Sequence, residues 1–241
     1  MAAYLSVVPN DNKLHPAMIW VSGGFGNEIG DVWTERNEEN DQSAFVIGEV
    51  GVIMMYPSQR GGNSNPGADE TCYGEIDDIL AAASFLSKQK GIDPKRIYLG
   101  GHSTGGTKVL LAAECSKMFR AVFSCGAITS VIDYGEDDMT FETNDTMEIK
   151  MRAPIAWLKS IHTPVYVFEG ASGSSNIGAL RKLEERAKEE HNPYIHFYEV
   201  ENKDHFSALQ PVCKIIARKI MEDLTGGEPK MDFTADIKAI P

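Results

Sequence analysis

Short apolar runs alternate along the chain with longer segments whose apolar residues recur every three to four positions. The short runs read as strands near Tyr4–Val8, Ala17–Val21, Val52–Tyr56, Arg96–Leu99, Ala121–Ser124, Val165–Phe168 and Ile195–Val200. The helical period marks Asp69–Gln89, Thr104–Met118, Asn176–Glu190 and Ser207–Leu224. Such alternation predicts an α/β architecture, a mostly parallel sheet with helices on both faces. Asp93-Pro94 is a turn signal, and Pro94 and Pro164 both sit just ahead of strands. Internal repeats and low-complexity segments are absent.

Two stretches break the rhythm. Residues Asn27–Asn40 are polar and follow an apolar run, so they are expected to form a surface loop. Residues Tyr134–Glu148 hold Glu136, Asp137, Asp138, Glu142, Asp145 and Glu148 without a Lys or Arg. They fall between two predicted strands, where a cap or lid over 134–158 would be inserted. Two readings of the acids stand side by side: a solvated loop, or a rim that repels anionic substrates and tolerates cationic ones.

Composition narrows the class. With 241 residues, 42% hydrophobic and 24% charged, one domain over residues 1–224 is expected, followed by a tail over 225–241. Two Gly and two Pro in that tail suggest disorder or docking on a neighbour. A net charge of −12 argues against nucleic acid or an anionic membrane as partner. No run approaches the roughly 20 apolar residues of a membrane span, and Met1-Ala2-Ala3-Tyr4 lacks the features of a signal peptide, so a cytoplasmic protein is expected. The oligomeric state leaves no signature. Cys72, Cys115, Cys125 and Cys213 are scattered, and the apolar surroundings of Cys115 and Cys125 suggest buried, reduced thiols.

The chemistry concentrates in Gly100-Gly101-His102-Ser103-Thr104-Gly105-Gly106. Here a G-x-S-x-G pattern directly follows a strand and directly precedes a helix. Ser103 on so tight a turn excludes side chains two residues either way, and the helix N-terminus behind it favours developing negative charge. His205 follows the last predicted strand and precedes the final helix, and it is the preferred general base for a nucleophilic Ser103. His15, His102, His162, His191 and His196 fit less well; His102 adjoins the serine but is expected to point elsewhere on the turn. Metal-ligand spacings and a dinucleotide fingerprint are both missing, so neither a metal nor a cofactor is expected.

Ser22-Gly23-Gly24-Phe25-Gly26, Gln59-Arg60-Gly61-Gly62, the serine turn and Asp204-His205-Phe206 together resemble the α/β-hydrolase superfamily. The likeness runs from about Tyr4 to Leu224 and is nearest to the prolyl-oligopeptidase-like and dienelactone-hydrolase-like serine hydrolases. It implies a central sheet of about seven to eight strands and a Ser–acid–His chain order. It also implies an oxyanion hole from the Thr104 N–H and a second N–H, Gly24 first and Phe25 next. The aspartate expected three residues past Gly170 is replaced by Gly173. Glu169 is therefore the first candidate for the acid and Asp133 the second, with Asp204 behind them. Arg60 either holds a substrate oxygen or braces its own loop, and the brace is the plainer reading.

These residues suggest a cofactor-independent hydrolase of small carboxylic esters working through an acyl-enzyme on Ser103. A small peptidase or aminoacyl-ester hydrolase is the alternative within the same chemistry. A non-catalytic binding protein on the same fold is the third reading, prompted by the displaced acid.

Overall fold

The structure, a computed structural model, describes residues 2–30, 40–223, 227 and 229–241. Seven strands form one sheet: β1 (Ala3–Leu5), β2 (His15–Val21), β3 (Ile53–Pro57), β4 (Ile92–His102), β5 (Val122–Cys125), β6 (Val165–Gly170) and β7 (Ile195–Val200). Their order is β1-β3-β2-β4-β5-β6-β7, with only the β1–β3 pairing antiparallel. The helices are α1 (Phe45–Glu49), α2 (Gly74–Leu86), α3 (Thr104–Cys115), α4 (Thr146–Met151), α5 (Ile177–Glu189), α6 (Leu209–Glu222) and α7 (Thr234–Lys238). This is the α/β-hydrolase fold.

The two-residue period of a strand sends alternate side chains to opposite faces. Ile19, Val21, Met55 and Leu99 pack on one side with Ile79, Val109 and Leu183, while Met18, Trp20, Met54 and Tyr98 pack on the other with Ile47, Val212 and Ile216. Thus α2, α3 and α5 cover one face, and α1 and α6 the other. Because β2 and β4 to β7 run parallel, the segments that leave them emerge along a single edge. That edge carries Ser22 after β2, Ser103 after β4, Gly126 after β5, Glu169 at the end of β6 and the loop to His205 after β7. Ligands of open parallel sheets bind outside this carboxyl edge.

Several expectations shift. The helix expected from Asp69 begins at Gly74, and the one expected from Ser207 begins at Leu209. Asn27 is buried rather than on a surface loop; residues 31–39 of that stretch lie outside the described residues, as do Leu224, Thr225, Gly226 and Glu228. Cys115 is exposed, because it ends α3, whereas Cys72, Cys125 and Cys213 are buried free thiols. Between β5 and β6 the chain forms short 3-10 turns and α4, whose N-terminus is capped by the Asp145 carboxylate accepting from Met147 N and Glu148 N. Arg152 anchors this segment: its Nε donates to Glu70 O at 3.0 Å, and its guanidinium lies 4.3 Å from the Phe141 ring centroid and 4.9 Å from that of Tyr73.

The tail also departs from expectation. Past residue 228 the chain returns to the sheet, where Met231, Phe233 and Ile237 are buried. The Phe233 ring centroid is 5.0 Å from those of Tyr166 and Phe168 and 5.5 Å from that of Tyr198. Gly227 and Pro229 precede this return, so the composition of the tail marks a change of direction rather than the end of order. Phe233→Ala is expected to lower stability by about 3–5 kcal/mol, the range for deleting a fully buried aromatic. Urea unfolding would show a reduced midpoint with an unchanged slope.

Candidate active site

Ser103 stands between β4 and α3 with φ +57° and ψ −120°, a backbone conformation rarely adopted by a residue with a Cβ. Its N–H donates to Cys125 O at 2.8 Å, and its carbonyl accepts from Thr107 N at 3.0 Å, so the strained turn is held from both sides. The flanking glycines follow from close approach: a Cβ on Gly105 would lie 2.0 Å from Val21 O, and one on Gly101 would lie 2.6 Å from Gly105 O. Ser103 thus stands at the carboxyl edge of the sheet, between β4 and α3.

His205 and Glu169 meet there. The Nδ1 of His205 lies 3.2 Å from Glu169 Oε2 and 3.3 Å from Oε1, and Glu169 is buried. Glu169 is the penultimate residue of β6, so its side chain spans from the strand itself to the loop after β7. Gly126 makes room, since a Cβ there would come within 2.4 Å of His205 Cε1 and 3.1 Å of Glu169 Oε2. The other two acid candidates are engaged elsewhere. Asp133 accepts from Thr129 Oγ1 at 2.5 Å, and Asp204 accepts from Ser207 Oγ at 2.7 Å and from the N–H groups of Phe206 and Ser207.

The glycine loop after β2 lies beside the start of α3, where Thr104 Oγ1 donates to Gly24 O at 2.6 Å. The N–H groups of Gly24, Phe25 and Thr104 find no acceptor among the described residues, while that of Gly23 is committed to Asp41 Oδ2 at 3.0 Å. A buried network fixes this loop from beneath. Lys108 Nζ donates to Asn27 Oδ1 at 2.8 Å and to Gln59 Oε1 at 2.7 Å, and Asn27 Nδ2 donates to Glu75 Oε1 at 3.0 Å. Arg60 is a brace: it donates to both Asp78 oxygens, at 3.1 and 3.2 Å, and to Glu70 at 2.5 Å. These carboxylates hold its guanidinium firmly charged.

Sequence reading passed over two features of the site. Tyr134 reaches in from the segment after β5, its hydroxyl 2.9 Å from Thr107 Oγ1 in the first turn of α3. Burial pushes its phenol well above the ordinary range. Phe25 packs edge-on against its ring at 5.5 Å. The second feature is Asp41, which reaches the Gly23 amide from the start of the described segment before α1. Neither has a periodic or motif signature, since each arrives across space from an irregular segment. Gly24, Phe25, Asp69, Thr71, Tyr134 and Asp138 line a narrow crevice beside Thr104. Among the described residues no group of three or more His, Cys, Asp or Glu is placed to hold a metal, and no helix is long and apolar enough to cross a membrane.

No curated protein matches the sequence. Solved structures of similar fold are numerous. A puromycin-hydrolyzing peptidase of Mycobacterium tuberculosis aligns with a TM-score of 0.72 at 16% identity, covering 95% of this chain and 38% of that one. An acylaminoacyl peptidase of Pyrococcus horikoshii gives 0.70 at 15% identity, covering 97% and 41%. The Butyrivibrio proteoclasticus protein Est1E with ferulic acid bound gives 0.67 at 17%, covering 92% and 94%. The chain therefore spans about two fifths of the length of these two peptidases and nearly the whole of the third protein. At such identities the likeness is one of fold. The sequence itself matches the family model described as "Prolyl oligopeptidase family" over residues 39–162, half of its length and including the Ser103 turn. The chain belongs to the prolyl oligopeptidase family.

Proposed function

We propose that the chain is a serine hydrolase that cleaves small carboxylic esters through an acyl-enzyme on Ser103. The observation that carries this reading is the strained serine turn on the same sheet edge as an imidazole whose Nδ1 faces a buried carboxylate. With Nδ1–H donated to Glu169, the Nε2 of His205 is left as the basic nitrogen. His205 takes the Ser103 proton as Oγ bonds to the carbonyl carbon, and the carbonyl π pair moves onto oxygen. The N–H groups of Thr104 and Gly24 stabilise that oxyanion, with Phe25 N–H as the alternative second donor. Collapse expels the alcohol, which receives the proton from His205. Water, activated by the same imidazole, then releases the acid and restores Ser103. The segment 134–158 acts as a small cap over this site, bringing Tyr134 and Asp138 to the wall of the crevice beside Thr104.

A second reading, hydrolysis of short peptides or aminoacyl esters, is favoured by the family to which the chain belongs. It needs the same residues and a stronger demand on His205, because an amine leaves only when protonated.

Labelling with a fluorophosphonate followed by peptide mass spectrometry tests the common core. The expected adduct is on Ser103, and it is lost in His205→Ala. Folded protein that stays unlabelled would sink the hydrolase reading in favour of a binding protein. Turnover of matched esters and amides then separates the two substrates: ester-only cleavage supports the first reading.

A further inference from the structure

His102 is 1% exposed and held at both ends of its ring. Its Nδ1 lies 3.3 Å from Asp41 Oδ2, and its Nε2 lies 3.1 Å from the backbone oxygen of His205. Asp41 in turn accepts from Trp20 Nε1 at 3.2 Å on one oxygen and from Gly23 N–H at 3.0 Å on the other. Both carboxylate oxygens are thus already acceptors, and a backbone carbonyl can only accept. A neutral imidazole carries one N–H and one lone pair. In this setting the lone pair would face an oxygen whichever tautomer formed. Both contacts are satisfied only when each ring nitrogen bears a proton.

We propose that His102 is kept as an imidazolium and serves with Asp41 as a positioning pair, tying the backbone of the base-bearing loop to the glycine loop after β2. This rests on the roles of Ser103 and His205 proposed above. The pair touches no reacting atom. It fixes two segments whose separation decides whether an imidazole and an oxyanion donor can serve the same carbonyl.

The surroundings agree. Burial opposes the charge on His102, but the hydrogen bond and charge of Asp41, aided by the His205 carbonyl and by Glu169, raise its pKa above the ordinary value. Tyr56 of β3, Cys125 of β5 and Cys213 of α6 lie within electrostatic range of Asp41, and burial pushes all three upward, so they stay neutral around pH 7. The His205 ring stands beside that of His102 with centroids 4.5 Å apart, and Phe206 closes the remaining side at 5.5 Å. With its folded pKa raised, His102 contributes stability that is fully present below its unfolded value near 6.5, and that is lost as pH rises through the folded value. Positioning should fail over the same alkaline interval.

The test pairs nitrogen-15 NMR of histidine side chains with kcat measured against pH on an activated ester. At pH 7 one histidine should show protons on both ring nitrogens, and that signal should vanish in His102→Gln. In both His102→Gln and Asp41→Asn, kcat should fall about tenfold or more, as expected for a lost hydrogen bond to a charged group, with KM little changed. The alkaline loss of kcat expected of the unaltered protein should be absent from both variants. A His102 that is neutral at pH 7, or variants that keep the original alkaline limb, would overturn the proposal. The NMR reading needs no turnover and no variant for the unaltered protein. A chain that fails to cleave the ester would therefore count against the proposed hydrolase, while the protonation state still decides the pair.

Discussion

Ser103→Ala is expected to lower kcat for ester cleavage by about 10⁶, the scale on which removing a serine nucleophile disables an acyl-transfer site. The expectation follows from how little else could replace the hydroxyl. Tyr134 brings another hydroxyl to the start of α3, but burial keeps its phenol protonated and Thr107 already binds it. Cys125 lies close beneath, but it is fully buried and burial raises its thiol too. Neither can supply a nucleophile near neutral pH. The fold should survive, because the Ser103 backbone is held by Cys125 O and Thr107 N rather than by Oγ. Stopped-flow turnover of an activated ester, with circular dichroism to confirm folding, checks both halves. Retention of even a hundredth of the activity would place the nucleophile elsewhere.

The second large effect is at the acid. Glu169→Gln is expected to reduce kcat by about 10⁴, as loss of the orienting carboxylate does in a serine protease. Glu169 is buried, so a carboxamide there cannot be compensated by solvent. The carboxamide can present its NH2 to His205, which would turn the basic nitrogen away from Ser103. Alternatively its oxygen accepts from Nδ1 but offers no charge to balance the imidazolium formed during acylation. Amides should lose more than esters, since their leaving group depends on that imidazolium. Shortening by one methylene in Glu169→Asp draws the carboxylate back toward β6, away from a contact already at 3.2 Å. It should be nearly as damaging in kcat while leaving KM close to its original value. Equal activity in all three proteins would remove Glu169 from the reaction.

How much of this was legible in the sequence depends on whether a segment obeys a local rule. The β2 to β7 runs were readable because each is a short apolar block bounded by turn residues. The serine turn was readable because close backbone approach demands glycine at both 101 and 105. Glu169 could be singled out, as the sole carboxylate between Glu169 and Asn176, only once its strand had been assigned. α1 escapes a sequence reading because five residues, the fourth a glycine, show no helical period. Asp41 and Tyr134 were missed because they act across 61 and 31 positions from the serine turn, through distance in space that no spacing encodes. His102 was set aside on its place in the turn, yet it is its burial, a tertiary property, that gives it two partners. Neighbouring Gly and Pro suggest disorder or docking on a neighbour around Phe233, and aromatic packing within the chain overrides that local signal.

The return of the chain after α6 changes where this folded unit can be cut. A version ending at the close of α6 looks complete by helix count, yet it would bare the face of β5 to β7 on which Phe233 lies. Phe123, Tyr166, Phe168 and Tyr198 would then form one continuous greasy surface next to an open edge strand. Exposed patches of that kind recruit other copies of the same chain. For anyone shortening, fusing or transplanting this fold, the last dozen residues behave as an inbuilt solubility seal.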